Sequence, residues 1–171
     1  QSPVPGAFFL GSGGGITQFA QPDYQRGAVP PTLAGTTSPR RVVPDIAADA
    51  DPATPILIGL TVNGSFVEAP GGGTSLSSPL FAGIEALADQ AGGGPHGFVN
   101  PLLYQLRGTG ALHDVSNVPR PLAMAFSLNG TTNLDTLQTD TSLSATPGYD
   151  DQTGLGSPDG AAYVTALATH H

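Results

Sequence analysis

The segment between two glycine triplets, at residues 71–73 and 92–94, constrains the fold of this chain most strongly. Four apolar residues within it recur at the spacing of one helical face: Leu80, Ile84, Leu87 and Ala88. Glycines and the proline that follows at position 95 end a helix, because they do not continue its backbone. The sequence therefore predicts one long amphipathic helix that follows a glycine-rich turn.

Pro79 limits where this helix begins, because proline is tolerated in a first turn and not deep inside a helix. We predict that the helix begins between Ser75 and Ser78 and runs to about Gln90. Ser75, in GGGTSLSSP, is then either a nucleophile or a helix cap. A helix N-terminus offers N–H groups and a dipole that stabilise an oxyanion, but serine and threonine cap helices often. The pattern alone favours a cap, and its candidates are Thr74, Ser75 and Ser77.

Short elements are predicted around this helix, because 24 glycines and 17 prolines punctuate the apolar stretches. A strand is predicted at residues 16–19. Strands at 56–62 and 65–69 flank Asn63-Gly64, the strongest two-residue signal for a hairpin. We predict a second helix capped by Asn100 and a C-terminal helix capped by Ser157 and started by Pro158. Residues 108–150 are predicted to be irregular.

Composition excludes several classes of function. The formal net charge is -8 with only five basic residues, which disfavours nucleic-acid binding. The chain has no cysteine, so it forms neither a disulfide framework nor a thiolate zinc site. Its apolar runs are too short to span a bilayer, so no membrane partner is expected. The low, acidic charge content is typical of a secreted protein.

Two groups of aspartates are candidate metal ligands, because hard cations take carboxylates together with carbonyls of glycine-rich loops. The first group is Asp114, Asp150 and Asp151. The second is Asp45, Asp49 and Asp51, within PDIAADAD. Solvated loop carboxylates explain the first group as well, and turns around the prolines explain the second. The residue pattern leaves these alternatives open.

Several segments, in their order along the chain, resemble the sedolisins, the serine-carboxyl peptidases, and kumamolisin-like members above all. They are RVVPDIAADADPAT, GGTSLSSPLFAGIEALADQ, GFVNPLLYQL, HDVS and PGYDDQTGLGSP, preceded by a glycine-rich stretch at 12–25. The resemblance covers nearly the whole chain. It implies an α/β fold, the C-terminal half of a subtilisin-like, mostly parallel sheet with helices on both faces. Residues 1–171 would form the C-terminal portion of the peptidase domain.

The resemblance implies that Ser75 is the nucleophile of an endopeptidase that acts on protein or peptide substrates. The family's glutamate base, its orienting aspartate and its oxyanion-hole aspartate have no counterpart here, and Glu68 and Glu85 do not match their motif. Either a second polypeptide supplies them or the sequence is a truncated piece of a longer chain. We favour an N-terminal chain of the same precursor, so the isolated chain is predicted to be inactive. A carboxylate base implies an acid optimum. The alternatives are a non-catalytic, peptidase-derived binding module and a subtilisin-type fragment, which PGYDDQTGLGSP disfavours.

The resemblance also implies a calcium site in the region 108–160. Matched residue by residue, its ligands are the Asp114 and Asp150 carboxylates and three backbone carbonyls, those of Val115, Thr146 and Gly148. Thr146 replaces a glycine of the family, which matters little where only a carbonyl is used. The loop between Val115 and Thr146 is longer than expected for the family.

Overall fold

The computed structural model describes residues 2–3, 13–51, 54–116, 123–128, 130–136 and 145–170. The helices are α1 (Pro31–Ala34), α2 (Thr74–Gly92), α3 (Asn100–Gln105) and α4 (Gly160–Leu167). The strands are β1 (Ser2–Pro3), β2 (Gly15–Ala20), β3 (Arg40–Val43), β4 (Ile56–Val62), β5 (Ser65–Gly71), β6 (Leu112–His113), β7 (Ala123–Leu128), β8 (Thr131–Thr136) and β9 (Ser157–Pro158). None of the described helices is long and apolar enough to cross a membrane.

The described strands form four small sheets, and every pairing among them is antiparallel. The orders are β1-β8-β7, β2-β3, β4-β5 and β6-β9. The mostly parallel sheet expected from the resemblance is therefore not found in this part of the chain. Both β4–β5 and β7–β8 have two-residue connections, which join antiparallel strands, whereas parallel strands need crossovers of a dozen or more residues.

The hairpin β4–β5 confirms the prediction made from Asn63-Gly64. Asn63 has φ 51° and Gly64 has φ 80°. Two positive φ angles are typical of a type I′ turn, whose twist matches that of the flanking strands. In the register, Val62 pairs with Ser65 and Leu60 with Val67. Strand β5 extends to Gly71, two residues beyond the predicted end.

The long helix α2 is also confirmed, but its start was predicted too late. It begins at Thr74, so Pro79 is its sixth residue, inside the second turn. Pro79 has no N–H, so the Ser75 carbonyl has no donor one turn later in the helix. At the other end, Gly93 adopts the left-handed conformation and its N–H donates to the Asp89 carbonyl. The glycine triplet therefore ends the helix as expected.

Three predictions for the second half of the chain were wrong. Asn100 is the first residue of α3 rather than its cap, because its side-chain amide donates to the Asp45 carboxylate. Ser157 lies in β9, paired with His113, so it does not cap α4. A Cβ on Gly156 would lie 2.0 Å from the His113 carbonyl oxygen, so glycine permits this close strand approach. Residues 108–150 are not wholly irregular, because they contain the β7–β8 hairpin.

The core lies where α2, α3 and α4 meet β3 and the C-terminal loop. Its fully buried large side chains include Val42, Leu103, Tyr163 and Leu167. Helices α2 and α4 pack together, with the rings of Phe81 and Tyr163 in an edge-on contact 6.0 Å apart. Strands β4 and β5 pack chiefly on each other, contribute no residue to this buried core, and have exposed large apolar side chains.

Candidate functional site

Ser75 is the second residue of α2 and is exposed. The N–H groups of Leu76 and Ser77 both donate to the Gly73 carbonyl, at 2.9 and 3.3 Å. The first N–H groups of the helix, on Thr74 and Ser75, have no acceptor one turn earlier within the helix. The helix start therefore presents a hydroxyl beside backbone donors, which is the arrangement that an attacking serine and its oxyanion require.

The interpretation of Ser75 as a cap is not supported. The cap position is occupied by Gly73, which has φ 83°, and no side chain caps the helix. Ser77 instead turns its hydroxyl toward an earlier loop, where Oγ donates to the carbonyls of Ala48 and Asp49 at 3.1 and 2.9 Å. The prediction that Thr74, Ser75 or Ser77 caps α2 was therefore wrong.

The loop at residues 48–50 fixes the position of the helix start. Besides the two bonds of Ser77, the Gly73 N–H donates to the Ala50 carbonyl at 2.6 Å. Backbone and side chain thus attach the glycine turn and the first turn of α2 to the same loop. Because Ser75 lies between these two attachments, its backbone is held while its side chain faces solvent.

Two glutamates lie near Ser75 in the sequence, Glu68 on strand β5 and Glu85 in helix α2. Glu85 accepts a hydrogen bond from the Tyr163 hydroxyl, and burial raises the pKa of this carboxyl. Glu68 is exposed on β5, where it pairs with Gly59. Neither forms a hydrogen bond with Ser75 among the residues that the structure describes.

The expected calcium ligands lie on one short loop and its neighbour. The Gly148 N–H donates to Asp114 Oδ2 at 2.7 Å, and the Thr146 N–H donates to Asp150 Oδ2 at 3.1 Å. The two carboxylates thus meet the two ends of the same three-residue loop, and Val115 directly follows Asp114. Carboxylates, together with backbone carbonyls, are the ligands that a hard cation takes.

Asp150 is the more buried of these two carboxylates, since it is 1% exposed whereas Asp114 is exposed, and it accepts several hydrogen bonds. Its Oδ1 accepts from the N–H groups of Gln152 and Thr153, at 2.9 and 2.6 Å, and from the Thr153 hydroxyl at 3.1 Å. Asp151 is buried beside it, and its carbonyl lies so close to Gly14 that a Cβ there would clash. No group of three or more His, Cys, Asp or Glu side chains that could hold a metal ion is found in the described ranges.

The acidic group Asp45, Asp49 and Asp51 is not one cluster. The Asp45 carboxylate accepts from Arg41 through two nitrogens and from the Tyr104 hydroxyl at 2.8 Å. Asp49 Oδ1 accepts from the Asp51 N–H at 3.1 Å, a local turn of the kind predicted as the alternative to a metal site. The turn interpretation is therefore the better one for Asp49 and Asp51.

A buried polar group around Asp45, here called the Asp45 cluster, was not predicted from the sequence. Its members are Gln25, Arg41, Asp45, Asn100 and Tyr104. Gln25 is 0% exposed, and it donates to the Val42 carbonyl and accepts from the Val42 N–H. Burial, and then the Asp45 charge, raises the pKa of Tyr104. Their wide separation along the chain left no local pattern that could reveal this cluster.

The chain is similar along nine-tenths of its length to known peptidases. It is 35% identical over 158 residues to kumamolisin of Bacillus sp. (strain MN-32), with 91% of this chain and 25% of that protein covered. It is 33% identical over 171 residues to tripeptidyl-peptidase 1 of Canis lupus familiaris, with 91% and 27% covered. No family model matches the chain.

A solved structure supports the same relationship. The chain is similar to Pseudomonas sedolisin, a serine-carboxyl proteinase complexed with two molecules of pseudo-iodotyrostatin. The TM-score is 0.64 at 28% sequence identity, and the match covers 92% of this chain and 37% of that one. The chain thus spans about a quarter of the length of the two curated relatives and corresponds to their C-terminal part.

Proposed function

Because the chain belongs to the sedolisin family, we propose that it is the nucleophile-bearing part of an acid-acting serine-carboxyl endopeptidase. The observation that carries the proposal is the exposed Ser75 hydroxyl on the first turn of α2. Its neighbour Ser77 is used to attach the helix, whereas Ser75 is not. The glycine turn before it leaves room for a substrate backbone.

In the proposed reaction, Ser75 Oγ attacks the carbonyl carbon of a protein or peptide substrate. A glutamate from the N-terminal part of the precursor takes the hydroxyl proton and returns a proton to the leaving amine. Water then hydrolyses the acyl-enzyme and restores the serine. The N–H groups at the start of α2, together with an aspartate of the N-terminal part, stabilise the oxyanion. A carboxylate base stays ionised at acid pH, where histidine would be charged, and this supports an acid optimum.

We include a calcium ion in the proposal, held by the Asp114 and Asp150 carboxylates and by the carbonyls of Val115, Thr146 and Gly148. The support is that both carboxylates already bond to one loop, with Asp150 buried. The ion would contribute charge and coordination that join this loop to the C-terminal segment, and no chemistry. Secretion is proposed on the same basis, that of the family and the acidic composition.

The test is Ser75→Ala in the complete protein, N-terminal part included, with Ser78→Ala as the matched control. Ser78 is also exposed and lies in the same turn of α2. We expect Ser75→Ala to lower kcat for peptide hydrolysis at acid pH by at least about a thousandfold, as losing a nucleophile does, with an unchanged melting temperature. Ser78→Ala should keep near-normal kcat. Activity of Ser75→Ala within about tenfold of the unsubstituted protein would reject Ser75 as the nucleophile.

A further inference from the structure

The first turn of α2 is held only in part by the hydrogen bonds of the helix itself. Because Pro79 has no N–H, the Ser75 carbonyl receives no bond from the next turn within the helix. The N–H groups of Leu76 and Ser77 share a single acceptor, the Gly73 carbonyl. This glycine has φ 83°, and glycine loses more conformational freedom on folding than any other residue. The turn that carries Ser75 therefore depends on contacts outside the helix for a fixed position.

Ser77 makes the side-chain contact that fixes this turn. Its Oγ donates to the Ala48 and Asp49 carbonyls, at 3.1 and 2.9 Å, across 29 and 28 positions of sequence. Serine within a helix often bonds to a carbonyl of its own preceding turn, which does not attach the helix to its surroundings. Ser77 bonds instead to a separate loop. Its hydroxyl therefore attaches the first turn of α2 to another part of the protein.

The loop at residues 48–50 is itself fixed from its other side. The Ala47 N–H donates to the Gly156 carbonyl at 2.8 Å, and the Leu155 N–H donates to the Asp45 carbonyl at 2.9 Å. Gly156 and Leu155 are buried, and a hydrogen bond away from water is electrostatically stronger than one in water. The start of α2 is therefore attached to a segment that the C-terminal loop holds in place.

We propose that Ser77 is a positioning residue, whose hydroxyl holds the first turn of α2 so that Ser75 Oγ and the backbone donors beside it keep the geometry that attack requires. This inference rests on the proposed function. Reacting atoms must be aligned at about 3–3.5 Å, and a misplacement of about 1 Å costs on the order of a hundredfold in rate. Because the Ser77 hydroxyl faces the loop at 48–50, it acts through the backbone of Ser75 rather than on the substrate.

A role of the Ser77 hydroxyl in stability alone predicts a different result from a role in positioning. Removing a hydroxyl that only stabilises the fold lowers the melting temperature, but it leaves the turnover of each folded molecule unchanged. Removing a positioning hydroxyl slows the folded molecules themselves. It lowers kcat and kcat/KM equally, because the lost alignment matters in the transition state and not in substrate binding.

The experiment compares Ser77→Ala and Ser77→Thr with Ser78→Ala in the complete protein, N-terminal part included. Ser78→Ala is the matched control, because it removes an exposed hydroxyl from the same turn of α2. Both kcat and KM for peptide hydrolysis are measured at acid pH, well below the melting temperature of each variant. Hydrogen exchange, read by mass spectrometry, follows the amides of Gly73 and Leu76 in the same proteins.

We expect Ser77→Ala to lower kcat by about 10- to 100-fold while KM stays within about twofold. Ser77→Thr keeps a hydroxyl at this position, so its kcat, like that of Ser78→Ala, should stay within about threefold of the unsubstituted protein. The Gly73 and Leu76 amides should exchange at least about tenfold faster in Ser77→Ala, because the first turn opens more often once it is detached. Their exchange in Ser78→Ala should be unchanged.

A kcat per folded molecule in Ser77→Ala equal to that of Ser78→Ala overturns the proposal, whatever the melting temperatures. Slow amide exchange in Ser77→Thr without a restored kcat also overturns it, since the hydroxyl would then hold the helix without affecting the reaction. Because exchange is measured without substrate, fast exchange in Ser77→Ala combined with hydrolysis that survives Ser75→Ala would keep the attachment and reject the proposed function alone.

Discussion

The hairpin β4–β5 and the Asp45 cluster differ in how well the rest of this chain covers or hydrogen-bonds their side chains. In the hairpin, seven large apolar side chains are between 39% and 68% exposed. In the Asp45 cluster, the Asp45 side chain is only 10% exposed, and it accepts hydrogen bonds from Arg41, Gln25, Asn100 and Tyr104. One region leaves apolar surface uncovered, and the other satisfies a buried charge with donors from distant parts of the chain.

We propose that this difference separates the region that this chain completes by itself from the region that requires a partner. A buried carboxylate is tolerated only where its hydrogen bonds are made, so the Asp45 cluster forms with the fold of this chain. Exposed apolar surface cannot be satisfied by hydrogen bonds and is covered only when another apolar surface packs against it. Ser75 follows the end of the hairpin by four residues, and the catalytic acids that would act with it are proposed to come from the N-terminal part of the precursor.

Disrupting the Asp45 cluster should have the largest effect on the free energy of unfolding. Asp45→Ala leaves the Arg41 guanidinium and the Tyr104 hydroxyl without their buried acceptor, so we expect a loss of about 3–5 kcal/mol in the free energy of unfolding. Urea unfolding of the complete protein measures it. Asp23→Ala is the control, because the Asp23–Arg26 pair is exposed and should contribute little. Similar midpoints for both variants would mean that Asp45 does not organise this region.

Removing calcium should have a smaller effect, confined to the loop around Gly148. A ligand that binds only the folded form stabilises it by about 2.7 kcal/mol at a free concentration of 100 times Kd. We expect chelation to lower the melting temperature of the complete protein and calcium, but not sodium, to restore it. Asp150→Asn should remove most of this dependence, whereas the exposed Asp159→Asn should keep it. A melting curve indifferent to chelator, with no calcium found by metal analysis, would reject the site.

The smallest expected effect is a pH dependence at the end of α2 farthest from Ser75. The His96 side chain is 2% exposed, with Nδ1 2.6 Å from Asp89 Oδ1 and Nε2 2.9 Å from the Leu167 carbonyl oxygen. Both nitrogens face acceptors, so the charged ring fits. The hydrogen bond to Asp89, and then the one to Leu167, raises the pKa of His96 above its ordinary 6.5, and the nearby Glu85 charge acts in the same direction.

The sign follows from a pKa that is higher in the folded state than in the unfolded one. The stabilisation by His96 is fully present below the unfolded value near 6.5 and is lost as the pH rises through the raised folded value. We expect the melting temperature to fall across this window and His96→Gln to flatten the fall. The exposed His113→Gln should leave it unchanged. An equally steep fall in His96→Gln would assign the pH dependence to other groups.

Local signals in the sequence predicted the local elements of this fold. Asn63-Gly64 predicted the hairpin because a type I′ turn requires two positive φ angles, which these residues adopt readily. The glycine triplet at 92–94 predicted the end of α2 for a similar reason. The start of α2 was misjudged because tertiary attachment, through Ser77 and the loop at 48–50, extends the helix ahead of Pro79.

Contacts between residues far apart in the sequence could not be predicted from local sequence patterns. Gln25 and Tyr104 are 79 positions apart, yet their side chains are 2.8 Å apart in the Asp45 cluster. Asn100 follows the rules of a cap but bonds to Asp45, because a buried carboxylate competes for its amide. The role of Ser75 came from the resemblance, since the residue pattern alone favoured a cap. The roles of Asp114 and Asp150 as calcium ligands stay predictions.

The most direct test of the central claim compares this chain alone with this chain in the presence of the N-terminal part of its precursor. Acid hydrolysis of a peptide library is measured for both, with intact mass establishing which chains are present. We expect no turnover by the isolated chain at any pH, and hydrolysis that depends on Ser75 when the N-terminal part is present. Turnover by the isolated chain, with no second chain detected by mass, would contradict the claim that its catalytic site is completed by a partner.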